Sequence, residues 1–365
     1  MSRRLLLGLG LVLVCGCSET SVEPWVWALP EGQPHPAVPD DNPMSAAKVE
    51  LGRHLFYDER LSGNGTQACG TCHEQALAFA DGRALPEGSL GDEVPKNSMG
   101  LTNVAYRSSL GWANPALVRL EDHALVPLFG EFPVELGVTG FEDVVLGRLE
   151  SDPTYQRLFD EAFGGTFDVS SIVSALAAFQ RTLLSYDSPY DRWVAGDDGA
   201  LSEAAKRGAS LFFSEKAECY HCHGGFDFTN ATRTADMEVG TPAFHNTGLY
   251  DVDGQGNYPP PNVGLVEFTG EAADRGRFRV PTLRNVAVSG PYMHDGALQT
   301  LEDVLQHYVR GGTQTQSGDG AENPYKDALI RPLDLNADEV ADLVAFLESL
   351  TDSAFLEDPR LADPW

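Results

Sequence analysis

The sequence predicts a mainly α-helical chain of two small domains with long loops and little strand. Three observations carry that expectation. The pentapeptide Cys-x-x-Cys-His occurs twice, as Cys69-Gly70-Thr71-Cys72-His73 and Cys219-Tyr220-His221-Cys222-His223, in register 150 positions apart. A stretch with helical spacing of apolar residues precedes each copy, whereas apolar–polar alternation of strand type is rare. The chain of 365 residues carries 37 glycines and 23 prolines, so its loops are long and its helices short. That length suits two domains. The expected organisation is a signal peptide over 1–17, a flexible tether over 18–42, an N-terminal domain over 43–195 and a C-terminal domain over 196–365.

The thiols of each pentapeptide can bond the vinyl groups of one haem, and the adjoining histidine becomes the proximal iron ligand. A lone Cys-x-x-Cys could be a redox or zinc motif. Two complete copies in one exported chain point instead to two covalently bound c-type haems. Cys69, Cys72, Cys219 and Cys222 are then the attachment points, and His73 and His223 the iron ligands. Each half reads as a cytochrome c-like domain in which haem supplies much of the core. Four of the six cysteines are used in this way, and Cys15 and Cys17 lie in the signal. Nothing remains for a disulfide framework.

The elements follow in order. Ser45 caps a helix through Phe56, which leads into Asp58-Glu59-Arg60-Leu61-Ser62 and then Cys69. Ile172, Leu176, Phe179 and Leu183 mark one face of a long amphipathic helix. Leu201-Ser202 opens a helix through Phe213 that leads into Cys219. Thr300 opens another, on which Leu301, Val304, Leu305 and Tyr308 share a face with His307 at its rim. A capping box from Asn336 to Glu339 starts a last helix carrying Val340, Leu343, Val344, Leu347 and Leu350.

Arg3 and Arg4 precede an apolar stretch, Leu5 to Val14, that is too short to span a bilayer. It ends at Val14-Cys15-Gly16-Cys17-Ser18, a lipobox-like sequence with Cys17 as the acylated residue. The expected location is the periplasm, with the lipoprotein anchored to the outer membrane of a Gram-negative bacterium. Acidic residues outnumber basic ones 54 to 25, for a net charge of −29. That excess argues against nucleic acid as a partner.

The sixth iron position decides the chemistry. Electron carriers close both faces, whereas a peroxidase leaves one open for peroxide. No histidine follows His73 until His123, and Met99 is the only soft ligand between them. The first haem is therefore expected to be open. For the second, Tyr308, His307, His294 and Met293 all stand as ligands on the sequence alone.

From about Leu51 to Leu350 the chain resembles the bacterial di-haem cytochrome c peroxidase and MauG superfamily. The matching stretches are Leu51-Gly52-Arg53 with Leu61-Ser62, Pro133-Val134-Glu135-Leu136-Gly137 and Ser188-Pro189-Tyr190-Asp191-Arg192. The most specific pair is Val280-Pro281-Thr282-Leu283-Arg284-Asn285 with Pro291-Tyr292-Met293-His294-Asp295-Gly296. The resemblance implies Tyr308 as axial ligand of the second haem, where peroxide-scavenging members have methionine and MauG-like members tyrosine. It implies Glu135 as the distal acid–base residue and Trp112 as the inter-haem tryptophan. The Trp-Asp-Gly-Arg usual at that point has become Trp112-Ala113-Asn114-Pro115. Asn97, Ser289 and Pro291 match the positions that hold a Ca²⁺ ion, and His245, His294 and Arg284 are candidates for the haem propionates. A surface tryptophan through which MauG draws electrons is replaced by Ala217, leaving Tyr220 and Trp193 as candidate exits.

The approach Pro127-Leu128-Phe129-Gly130-Glu131-Phe132-Pro133 looks like the MbnH-type branch. For that branch the resemblance implies a peroxide-dependent enzyme that reaches high-valent (bis-ferryl) iron and oxidises a tryptophan on a small secreted copper-binding protein. Two other readings compete. One is a periplasmic peroxidase fed by a small cytochrome or cupredoxin; the other is a non-enzymatic electron-transfer lipoprotein.

Overall fold

The computed structural model describes residues 25–238, 240, 243–312 and 323–365. The signal and the lipobox with Cys17 lie outside the described residues. In chain order the helices are α1 (Ala46–Tyr57), α2 (Cys69–Cys72), α3 (Leu120–Phe129), α4 (Glu142–Glu150), α5 (Pro153–Phe163) and α6 (Val169–Gln180). They continue with α7 (Pro189–Val194), α8 (Glu203–Phe212), α9 (Val266–Thr269), α10 (Leu301–Arg310), α11 (Ala337–Glu348) and α12 (Ser353–Leu356). Among the described residues the strand content is one antiparallel pair, β1 (Phe244–His245) and β2 (Phe278–Arg279), with Phe244 opposite Arg279. The chain is therefore mainly α, as its composition and patterning predict.

Each half is built on two helices whose backbones touch. In the first half, the Ser45 side chain accepts from Lys48 N to start α1, and Asp168 accepts from Ser171 N to start α6. The helices meet at Gly52, where a methyl group would lie 2.0 Å from the carbonyl oxygen of Ala175. Leu51, Leu55, Phe56, Ile172, Leu176 and Phe179 fill the interface, each contributing about 1.5–3 kcal/mol on full burial. Leu183, expected on this helix, lies past its end at Gln180 but is fully buried in the same core.

The second half repeats the device. Ser202 caps α8, and the Asn336–Glu339 capping box starts α11. A methyl at Gly208 would lie 1.9 Å from the carbonyl oxygen of Asp342. A second apolar core collects Phe212, Phe228, Leu301, Leu305, Leu343 and Phe346.

Two stretches cross the boundary expected at 195/196. Tyr190 on α7 packs against the second core, its ring 5.2 Å from Phe228 and 5.6 Å from Phe346. The C-terminal end returns to the first core with Phe355 and Leu361. The expected tether is also tied down before its end at residue 42. Tyr106 Oη donates to Pro34 O at 2.7 Å, Pro36 bridges to Thr234, and buried Asn42 donates to Glu121 at 2.7 Å. Apolar tails and ends of chain stay with whichever core covers them best, which a linear boundary does not capture.

Candidate functional site

Three adjoining cavities run through the molecule. The first, about 350 Å³, is lined by Cys69, Cys72 and His73 on one side and by Glu135, Trp112 and residues of α3 on others. The second, about 210 Å³, is lined by Cys219, Cys222, His223, Tyr308, Met293 and His294 among many apolar side chains. A small cavity at the seam between them is bounded by Asn97, Ser289, Pro291, Arg107 and Arg284. Trp112 lines all three.

The two histidines of the pentapeptides are held alike. His73 Nδ1 lies 2.7 Å from Phe79 O, and His223 Nδ1 lies 3.0 Å from Phe228 O. A carbonyl only accepts, so Nδ1 carries the proton, and Nε2 is the ring atom that could ligate a metal. Phe79 and Phe228 both stand at positive φ, +61° and +50°. For bulky residues these are outliers, kept where the surroundings over-determine them. Here each turns a carbonyl onto a histidine of its pentapeptide.

The residues fit haem in a second respect. Arg107 and Arg279 are buried, and no ion pair among the described residues includes either. Arg279 reaches only Gly111 O at 3.0 Å, Val280 O at 3.2 Å and Met99 Sδ at 3.3 Å. Arg107 donates to Gly100 O and Thr102 O, and its Nε has no partner. Burial pushes the Arg107 guanidinium down to about 10 and that of Arg279 well below its ordinary value. Unpaired buried cations are costly, and the carboxylates of two haems would pair with them. His294, buried, with no hydrogen bond to its Nε2 among the described residues and stacked 3.8 Å from Phe278, lines the second cavity. Among the described residues no group of three or more His, Cys, Asp or Glu is placed to hold a metal ion.

The predicted residues divide as follows. Glu135 lines the first cavity, with no hydrogen bond to its carboxylate, and burial pushes its carboxyl up. Trp112 forms the shared wall and donates from Nε1 to Asn97 O at 2.8 Å. Tyr308 lines the second cavity without a hydrogen-bond partner among the described residues, and enclosure pushes its hydroxyl above its ordinary range. His307 turns away, its Nε2 3.0 Å from Thr247 O. Asn97, Ser289 and Pro291, drawn from distant parts of the chain, meet at the seam.

Arg284 does not face the second cavity. It makes a two-pronged ion pair with Asp191 at 2.8 and 3.0 Å and also donates to Phe226 O. His245 lines the second cavity but is bonded to Asp327 at 2.6 Å. Trp193 leads inward through Tyr190, ring centres 6.0 Å apart, to Phe228. Tyr220, half-buried against the second core, stacks on His221.

Three residues of the site escape sequence reasoning: Arg107, Arg279 and His123. The arginines stand in no motif. His123 stands 50 positions after His73, yet α3 brings it to the wall of the same cavity.

The family described as di-haem cytochrome c peroxidase matches residues 46–199. Methylamine utilization protein MauG of Methylorubrum extorquens is 37% identical over 325 residues, spanning 88% of this chain and 82% of that protein. The chain belongs to the di-haem cytochrome c peroxidase and MauG family. Cytochrome-c peroxidase IdrP1 of Denitromonas iodatirespirans is 36% identical, covering 97% of this chain and 95% of its own. A crystal structure of a MauG-like protein associated with microbial copper homeostasis superposes with a TM-score of 0.91 at 46% identity, covering 93% of this chain and 99% of that one. As a member of the di-haem family, the protein is a peroxide-dependent oxidoreductase with two c-type haems, and the non-enzymatic reading falls away.

Proposed function

We propose that this di-haem enzyme uses hydrogen peroxide to oxidise a tryptophan on a partner protein, in the MauG and MbnH manner. The observation that carries the reading is Tyr308, which lines the cavity of Cys219, Cys222 and His223 with no hydrogen-bond partner among the described residues. With no protein partner, the phenol is the side chain that would be available to ligate the second haem's iron. An anionic phenolate disfavours reduced iron, whereas a methionine ligand raises its potential. The tyrosine therefore suits an enzyme that stores oxidising equivalents, not one primed by an electron.

When bound, the haems supply iron that reacts with peroxide and centres that hold two oxidising equivalents. Glu135 moves a proton from the inner to the outer peroxide oxygen, as a carboxylate with a raised pKa can. Trp112, in the wall common to both cavities, gives electrons a short route between them. Arg107, Arg279 and His294 would hold the haem carboxylates. Asn97, Ser289 and Pro291 offer oxygen ligands for Ca²⁺ at the seam.

The partner is a small secreted copper-binding protein. Support comes from the 46% identity to the MauG-like protein associated with microbial copper homeostasis. The enzyme works in the periplasm, held by an acyl chain on Cys17 to the outer membrane. Its support is the lipobox, and Cys17→Ala releases the enzyme from membranes. A second reading, a peroxidase drawing electrons from a small cytochrome or cupredoxin, is favoured by the 36% identity to cytochrome-c peroxidase IdrP1.

The test incubates the fully oxidised holo-protein with peroxide and a small secreted copper-binding protein, followed by mass spectrometry. Oxidation confined to one tryptophan of the partner, and lost in Tyr308→Met, is the expected result. Peroxide consumption that needs a reduced small cytochrome and leaves the partner unmodified sinks the tryptophan-oxidising reading in favour of the second.

A further inference from the structure

The wall of the first cavity carries an imidazole for which no role has been given. His123 lies on α3 one turn before Pro127, so the two share a face of that helix. The segment bearing Glu135 is pinned to the end of the same helix: Leu136 N donates to Pro127 O at 2.8 Å, and Val138 N to Leu128 O at 2.9 Å. Leu136 is buried in the first core and, like Glu135, lines the cavity wall. Both His123 and Glu135 line the cavity shared with His73. Around them stand Ala124, Leu128, Leu110 and Leu117. None of the hydrogen bonds among the described residues engages the ring of His123 or the carboxylate of Glu135.

We propose that His123 is a second polar group over the open face of the first haem, hydrogen-bonding a small ligand held against Glu135 and not binding the iron. Resting on the peroxide-dependent reading above, this names the residue that positions the peroxide. The chemistry is complementary. A neutral imidazole offers one donor and one acceptor, whereas an ionised carboxylate only accepts. Hydrogen peroxide has two O–H donors and lone pairs on both oxygens, so one partner of each kind satisfies it where a carboxylate alone would not. Burial pushes His123 down to about 4, which keeps the ring neutral at physiological pH. Its helix, anchored by His123 N to Arg119 O at 3.0 Å, fixes the ring more firmly than a loop would.

Cyanide binding to the ferric holo-protein tests this, because the bound anion needs a hydrogen-bond donor at the same place. His123→Ala is expected to weaken cyanide at the first haem about tenfold, the scale of one lost hydrogen bond to a charged group. His123→Gln, which keeps a donor and guards against a folding defect, should recover most of it. The electron paramagnetic resonance spectrum should show a high-spin first haem in the parent and in both variants. Unchanged cyanide affinity in His123→Ala overturns the proposal. So does a parent low-spin at the first haem that turns high-spin in His123→Ala, because His123 would then be an iron ligand. Tyr308→Met should leave this cyanide affinity alone, so failure of partner oxidation there bears on the proposed function and not on His123.

Discussion

Glu135 is held in an apolar wall, and burial places its carboxyl above the ordinary carboxylate range. As the group that takes the first proton from peroxide, it works only when ionised. The peroxide reaction should therefore slow as pH falls, with a midpoint above the value of about 4.3 for a free glutamate. Glu135→Gln should lower the rate by about 10²–10⁴-fold, the scale of one lost acid–base group, and remove that pH dependence. Stopped-flow absorbance of the haem bands checks both, and a midpoint at or below the free value would count against the role. At this scale the motif names Glu135, and the helical wheel leaves Tyr308 and His307 as rivals. Only packing separates them: His307 is bonded to Thr247 O, and Tyr308 faces the cavity.

The helix pairs α1/α6 and α8/α11 do the same work twice. Each crosses on one glycine, Gly52 or Gly208, so that backbone lies against backbone and the pair forms a rigid wall beside a haem cavity. Gly52→Ala or Gly208→Ala puts a methyl about 2 Å from a backbone carbonyl. Each should cost about 1–3 kcal/mol through forced separation of the pair. Thermal unfolding of the holo-protein should show a lowered Tm for each; an unchanged Tm would mean that the crossing has slack. The helices themselves are legible in the sequence, because caps such as Ser45, Ser202 and Asn336 and the apolar spacing are local signals. Their exact ends are less so, since Leu183 is buried beyond α6 by tertiary contacts alone.

Over the whole molecule the two halves are locked by polar groups drawn from distant positions. Asp352 accepts from Ser185 Oγ and from the amides of Tyr186 and Asp187 at 2.9–3.0 Å. Its own amide donates to Asn285 Oδ1 at 2.7 Å, and Asn285 Nδ2 in turn reaches Thr102 Oγ1 at 3.2 Å. Beside this network lies the seam cavity of Asn97, Ser289 and Pro291, whose Asn97 carbonyl holds Trp112. If Ca²⁺ occupies that seam, elemental analysis of dialysed holo-protein should find about one ion per chain. Its removal by a chelator should perturb both haem spectra together, through Trp112. Absence of the metal, or a perturbation confined to one haem, would sink the assignment.

The sequence by itself determined the mainly helical class and the family and pointed to the two Cys-x-x-Cys-His motifs as haem sites, because each is written in short contiguous or periodic patterns. The tertiary structure alone decided which side chains line each cavity. It brought His123 and Glu135 to one wall, left Arg107 and Arg279 buried without carboxylates, moved Arg284 onto Asp191, and returned the C-terminal tail to the first core. The physical reason is range. Covalent motifs, caps and amphipathic faces depend on neighbours within a turn or two, whereas the partner of a buried charge or the occupant of a cavity wall is set by contacts across many tens of residues.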